Sequence, residues 1–126
     1  MKKIINTLNA PQPIGPYKQA NLFNGFLFVS GQIALNPVDG ALVMDSIEAE
    51  THQVLQNLGA ILTEAGYSFD DVLKCSVFVT DMNMFGRINA IYSQYFKEEN
   101  APARELVQVA ALPRFVNVEI SAIAAK

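Results

Sequence analysis

One cysteine, one histidine and no tryptophan occur among the 126 residues, and each scarcity removes a class of chemistry. The lone Cys75 makes no intrachain disulfide, and no pair of Cys or His residues stands at zinc-ligand spacing, so neither a metal site nor a disulfide scaffold is expected. Charge is sparse as well. Nine Lys and Arg face twelve Asp and Glu for a net charge of −3, which argues against an extended phosphate-binding face and so against nucleic acid as a partner. Long apolar runs are missing too: the longest, Phe26 to Leu35, is interrupted by Ser30, Gly31 and Gln32 and falls short of the roughly 20 residues that cross a bilayer. Lys2 and Lys3 are not followed by an apolar region with a small-residue cleavage site, so no secretory signal is read. With cysteine usage pointing to a reducing compartment, the expected location is the cytoplasm.

Core material is plentiful. Half the residues (51%) are hydrophobic and only 17% are charged, the balance of one compact domain over residues 1–126 rather than of a disordered chain. Pro11, Pro13 and Pro16 make Asn9 to Pro16 an extended arm over the surface. Tyr17 to Phe23 and Phe26 to Leu35 read as strands joined by Asn24-Gly25, a pair suited to the positive φ of a type I′ hairpin turn. A short strand is expected at Ala41 to Val43. Apolar residues at helical spacing from Val54 to Ala65, behind an Asp45-x-x-Glu48 capping pattern and ahead of Gly66, predict a helix over Ser46 to Ala65. Val72 to Thr80 alternates as a strand, Phe85 to Phe96 carries a second helical stripe, and Arg104 to Ala110 and Val116 to Ala124 close the chain as strands. The order β-β-β-α-β-α-β-β is an α+β arrangement with a mixed sheet. Two helices cover one sheet face, yet Phe26 to Leu35 is apolar at both parities, so the second face calls for a homo-oligomeric partner.

Few residues invite chemistry. Arg104 opens a strand after the stiff Pro102-Ala103 and presents a planar fork suited to a carboxylate, although from composition alone a solvated arginine at a strand start is the plainer reading. Glu119 interrupts an apolar closing strand, either as a carboxylate able to hold or deprotonate a water or as part of a polar outer face with Asn117 and Ser121. Ser30-Gly31 inside an apolar strand marks a bulge or a close approach by a ligand. Tyr17 follows the rigid Gly15-Pro16 and either points its hydroxyl into a pocket or packs half-buried. His52 reads as a surface histidine, Cys75 as an inert buried thiol, and Gly59 and Gly86 as packing positions. Neither a nucleophilic triad nor a glycine-rich phosphate loop is present.

Several segments together carry a resemblance. Pro13-Ile14-Gly15-Pro16-Tyr17-Lys18-Gln19-Ala20, Phe28-Val29-Ser30-Gly31-Gln32, Gln56-Asn57-Leu58, Lys74 to Asp81, Asn89-Ala90-Ile91-Tyr92, Ala101-Pro102-Ala103-Arg104, Val107 to Pro113 and Val118 to Ala124 cover nearly the whole chain in order. They resemble the RidA (YjgF) family of reactive intermediate imine deaminases. The resemblance implies a homotrimer of chorismate-mutase-like subunits, with a central β-barrel, helices outside and sites in the clefts between subunits. It implies hydrolysis of 2-iminobutanoate and 2-iminopropanoate to 2-oxo acids and ammonia, without cofactor or metal. Carried onto this chain, Arg104 grips the substrate carboxylate and Glu119 positions or activates water. Gly31 and the strand around Leu106 line the imine end, and Tyr17, Ser30 and Asn89 complete the pocket. Arg104 and Glu119 are thus expected on one cleft that a neighbouring subunit completes.

Leu106 stands where many members have a cysteine, which removes thiol chemistry there, and Glu105 replaces a small polar residue on the strand face opposite Arg104. Two other functions stay open: a ribonuclease, which the acidic composition and lack of a His pair discourage, and a non-catalytic metabolite-binding or chaperone-like trimer.

Overall fold

The computed structural model describes residues 1–126. Its elements are β1 (Lys3–Ile5), β2 (Ala20–Phe23), β3 (Phe26–Gln32), α1 (Ile47–Glu64), β4 (Val72–Val79), α2 (Phe85–Tyr95), β5 (Ala103–Gln108) and β6 (Val118–Ala125). The strands form one mixed sheet in the order β1-β2-β3-β6-β4-β5. Only β4 and β5 run parallel, as their connection through α2 requires; every other pair is antiparallel.

Both helices lie on one face. Val54, Leu55, Leu58, Ile61 and Leu62 of α1 are fully buried against Leu27, Val77, Val79, Val118 and Ile120 of the sheet. Along β6 the alternation is strict: Val118, Ile120, Ala122 and Ala124 are buried, while Glu119, Ser121, Ile123 and Ala125 face the other side. That other face is open and apolar, with Ile4, Phe26, Phe28, Leu73 and Val107 each between 42% and 51% exposed.

The hairpin between β2 and β3 forms as expected, with Asn24 and Gly25 at φ 51° and 81°. A side chain at Gly25 would also collide with the Lys126 carbonyl, 2.7 Å from where a Cβ would lie. Other boundaries differ for local reasons. Ser46, not Asp45, caps α1 by accepting from the Ala49 N–H at 3.0 Å; Glu48 instead takes two 2.7 Å hydrogen bonds from Arg87 of α2, which hold its carboxyl down at about 2. The expected strand at Ala41 to Val43 reduces to a single bridge, Leu35 to Leu42. The sixth strand is instead β1, whose three residues are too few to show a pattern. β3 stops at Gln32 because the buried Asn57 amide donates to the Ile33 and Leu35 carbonyls at 3.1 and 2.9 Å and draws that segment onto α1. Gln19, expected within a strand, uses its buried amide to accept from the Thr7 N–H and donate to the Thr7 and Pro11 carbonyls, tying down the proline arm. Gly59 is a packing position, since its missing Cβ would lie 3.0 Å from the Phe69 ring; Gly86 faces open space.

Candidate functional site

Two clusters of the candidate residues form, one on each face of the sheet. The first lies where the register between β3 and β6 slips between Val29 and Gln32, the bulge that Ser30-Gly31 announces. There the Glu119 carboxylate lies directly over Gly31: a Cβ on residue 31 would sit 2.5 Å from Oε2. No side-chain hydrogen bond or ion pair engages Glu119 within the chain, and partial burial pushes its carboxyl above the ordinary range. Gly31, Glu119, Tyr17, Gln12, Pro113 and Arg114 line one cleft. Tyr17 is half-exposed with its ring against Gly15. The Ser30 hydroxyl is turned away, donating to the Lys18 carbonyl at 2.6 Å, so it secures the arm that carries Tyr17.

A buried carboxylate supports this cluster from behind. Glu50, fully buried on α1, accepts from the Asn117 N–H at 2.7 Å, the Asn117 amide at 2.8 Å and the Val118 N–H at 3.2 Å, so the two residues before Glu119 are clamped to the helix layer. Just upstream, Arg114 and Phe115 both adopt left-handed backbone (φ 58° and 56°), a conformation that costs a non-glycine residue roughly 1–2 kcal/mol. They sit between the buried Leu112 and Val116, which fix that corner.

Arg104 organises the second cluster. It pairs with the buried Cys75 across β4 and β5 and therefore points to the helix side. Its Nη1 donates to Asn89 Oδ1 at 2.8 Å, its guanidinium carbon lies 4.7 Å from the centre of the Tyr92 ring, and the Phe85 ring stands at 5.9 Å. Phe85, Asn89 and Tyr92 recur at four- and three-residue spacing, one face of α2. Asn89, expected to line the pocket, here acts on Arg104. Leu106 shares the Arg104 face opposite Val77, and its half-buried side chain packs on the core. Glu105 points the other way, as its parity requires. Its carboxylate accepts from the Ser76 hydroxyl and pairs with Lys74 at 3.1 Å, contacts that hold it below the ordinary range, so it does not compete for Arg104.

Within one chain, then, Arg104 and Glu119 do not converge. Arg104 aligns with Cys75 on the helix face, whereas Glu119 aligns with Phe78, and Phe78 with Val107, in a row across the open face. Glu119, Gly31 and Tyr17 form one cluster and Arg104 and Asn89 the other. Cys75 is the inert thiol expected, buried and pushed up to about 11. His52 is half-buried rather than a free surface residue, its Nδ1 2.9 Å from the Tyr95 hydroxyl. No three metal-ligating side chains gather in one place. The supporting residues Glu50, Tyr92 and Phe85 were not singled out for function from the sequence. For Tyr92 and Phe85 the available signal was their common helical face with Asn89; for Glu50 it was a carboxylate among the apolar positions of α1.

Known proteins resemble this chain over nearly its whole length. Residues 7–126 match the family model described as Endoribonuclease L-PSP. Over 124 residues the chain is 48% identical to a mouse protein named 2-iminobutanoate/2-iminopropanoate deaminase, covering 98% of this chain and 91% of that one. Among solved structures it is similar to a Yersinia pestis protein described as belonging to the conserved Rid protein family, with TM-score 0.96, 48% identity and full coverage of both chains. It is also similar to Escherichia coli TdcF with bound serine, with TM-score 0.92, 43% identity and 98% of each chain covered. The mixed sheet with two helices on one face is the fold these relatives share.

Proposed function

The chain belongs to the RidA/YjgF family, and on that footing we propose that it hydrolyses 2-imino acids, 2-iminobutanoate and 2-iminopropanoate foremost, to 2-oxo acids and ammonia. The observation that carries this reading is the Arg104 guanidinium, set over an aromatic ring with one N–H engaged by Asn89 and no carboxylate of the chain paired with it. Such a fork accepts a carboxylate in two charge-assisted bonds.

Glu119 supplies the second group. In the reaction, water adds to the electrophilic imine carbon, forming a C–O bond while the C=N π electrons move to nitrogen. One water proton passes through Glu119 to nitrogen, leaving a carbinolamine. The remaining hydroxyl proton then follows to nitrogen through the same carboxylate as the C–N bond breaks, its electron pair leaving with ammonia while the C=O bond forms. A carboxylate raised by burial is a better proton acceptor than an ordinary one at neutral pH, and an iminium carbon needs little beyond a fixed substrate and a placed water.

Because the two halves lie on opposite sheet faces, this chemistry takes two copies of the chain: Arg104 and Asn89 from one, Glu119, Gly31 and Tyr17 from its neighbour. The half-exposed apolar residues of the open face support a homotrimer in which those faces pack together. No helix is long and apolar enough to cross a membrane, and we place the trimer in the cytoplasm. A ribonuclease reading draws no support from a net charge of −3 and a single histidine turned to Tyr95.

The experiment is coupled ammonia release: 2-iminobutanoate is generated in situ from threonine by a dehydratase, and its loss is followed with and without the protein. Acceleration by the wild type is expected. Arg104→Ala should lose at least about 100-fold, as two charge-assisted bonds worth roughly 1.5–3 kcal/mol each would predict, and Arg104→Lys should recover little because the fork is gone. Wild-type turnover by Arg104→Ala in an oligomer of unchanged size would refute the assignment.

A further inference from the structure

We infer that Tyr92 is a positioning residue for the reaction, acting through the face of its ring to fix the Arg104 guanidinium in the plane that a substrate carboxylate meets. The inference rests on the assignment of Arg104 as the carboxylate anchor and goes on to say what holds that anchor. An arginine emerging from the edge strand β5 has many side-chain rotamers open to it, and a bidentate carboxylate contact tolerates only a narrow set of them. Two contacts select the set here. Asn89 Oδ1 takes one N–H at 2.8 Å, and the guanidinium carbon lies over the Tyr92 ring, 4.7 Å from its centre. Asn89 restrains position in the plane, and the ring restrains tilt out of it.

The ring is the part of Tyr92 that lies under the guanidinium. Tyr92 is buried in the core at 6% exposure, and its hydroxyl lies by the Cys75 thiol and the Arg104 guanidinium without completing a well-formed hydrogen bond. The direct contact with Arg104 is made by the ring, whose negative face attracts a cation, and Tyr92→Phe separates that contact from any part played by the hydroxyl. The ring itself is braced by Phe96, whose centre lies 4.6 Å away, and Phe96 by Phe69 at 5.1 Å, so the support cannot tilt with the guanidinium. Phe85, at 5.9 Å and on the exposed end of α2, is the looser third wall.

The test measures binding of 2-oxobutanoate, the product of the proposed reaction, by calorimetry, together with the 15N relaxation of the Arg104 Nε–H in the intact oligomer. Tyr92→Met keeps the volume and removes the ring. A ring-fluorinated phenylalanine at position 92 keeps the shape and depletes the π face, which preserves the test should the Met variant fail to fold. Both are expected to weaken binding about ten-fold and to mobilise the Arg104 Nε–H, while Tyr92→Phe restores both readouts. An Arg104 Nε–H equally rigid without the ring would overturn the inference, as would Tyr92→Phe losing as much as Tyr92→Met. If Arg104→Lys alone left 2-oxobutanoate binding unchanged, the anchor assignment itself would fall, and the positioning role with it.

Discussion

The Glu119 carboxylate rests on Gly31, so closely that any side chain at position 31 would intrude on it, its Cβ 2.5 Å from Oε2 and 2.8 Å from the carboxyl carbon. Glycine is needed here for space, not for backbone conformation, since its φ is not among the positive ones. Gly31→Ala is therefore expected to push the Glu119 side chain out of its half-buried position while leaving the fold intact. The loss should appear in kcat, by about 10- to 100-fold, the order of a misplaced catalytic group. Steady-state kinetics beside a thermal melt checks it, and an alanine variant with wild-type kcat would show that Glu119 does not need this seat.

The raised carboxyl of Glu119 has a kinetic and a thermodynamic signature. As a base it must be ionised, so kcat/KM should fall as pH is lowered through its pKa, with the acid limb above the ordinary glutamate value of about 4.3. For stability, burial favours the protonated form. The contribution of Glu119 to folding is therefore most favourable below its unfolded-state pKa and is lost as pH rises through the folded one. Glu119→Gln should accordingly melt higher than wild type at pH 7, with the advantage disappearing near pH 4. Melting curves across that range, paired with the pH–rate profile, test both; equal melting at every pH would contradict the burial argument.

Glu50 is the structural counterpart. Its carboxylate accepts three hydrogen bonds from Asn117 and Val118 while wholly buried, so Glu50→Ala leaves two backbone N–H groups without partners in the interior. Unfolding stability should fall by about 2–5 kcal/mol, within the range for breaking a buried polar network. Glu50→Gln should fall less, since one oxygen still accepts while its amide now faces donors. Denaturant titration of the three proteins gives the order directly, and a stable Glu50→Ala would contradict the clamp.

Much of this layout was legible in the residues. Asn24-Gly25 specified its turn chemically, the Val54 to Leu62 spacing specified α1 through burial, and the parity of β5 separated Glu105 from Arg104. What escaped reading depended on contacts between distant segments. β1 is three residues whose strand character comes from pairing with β2. β3 ends where Asn57 captures the Ile33 and Leu35 carbonyls from 24 and 22 residues away, which no local pattern reveals. That Arg104 and Glu119 occupy opposite faces follows from the register of β5 on β4 and of β4 on β6, in which Arg104 meets Cys75 and Glu119 meets Phe78. Each strand's alternation was readable, but their mutual phase was not. Tyr92 lies within the helical stripe of Phe85 to Phe96, and its packing under Arg104 becomes visible only once α2 lies on β5.

The central claim is that one catalytic site is assembled from Arg104 of one copy and Glu119 of the next, and mixed oligomers test it most directly. Arg104→Ala and Glu119→Gln chains, each inactive alone, are unfolded together and refolded, and 2-iminobutanoate hydrolysis is measured. If the halves come from different copies, random assembly places an intact Arg104 beside an intact Glu119 at about one interface in four, so roughly a quarter of wild-type activity should return. A mixture as inactive as its components, in oligomers shown to contain both chains, would contradict the shared site.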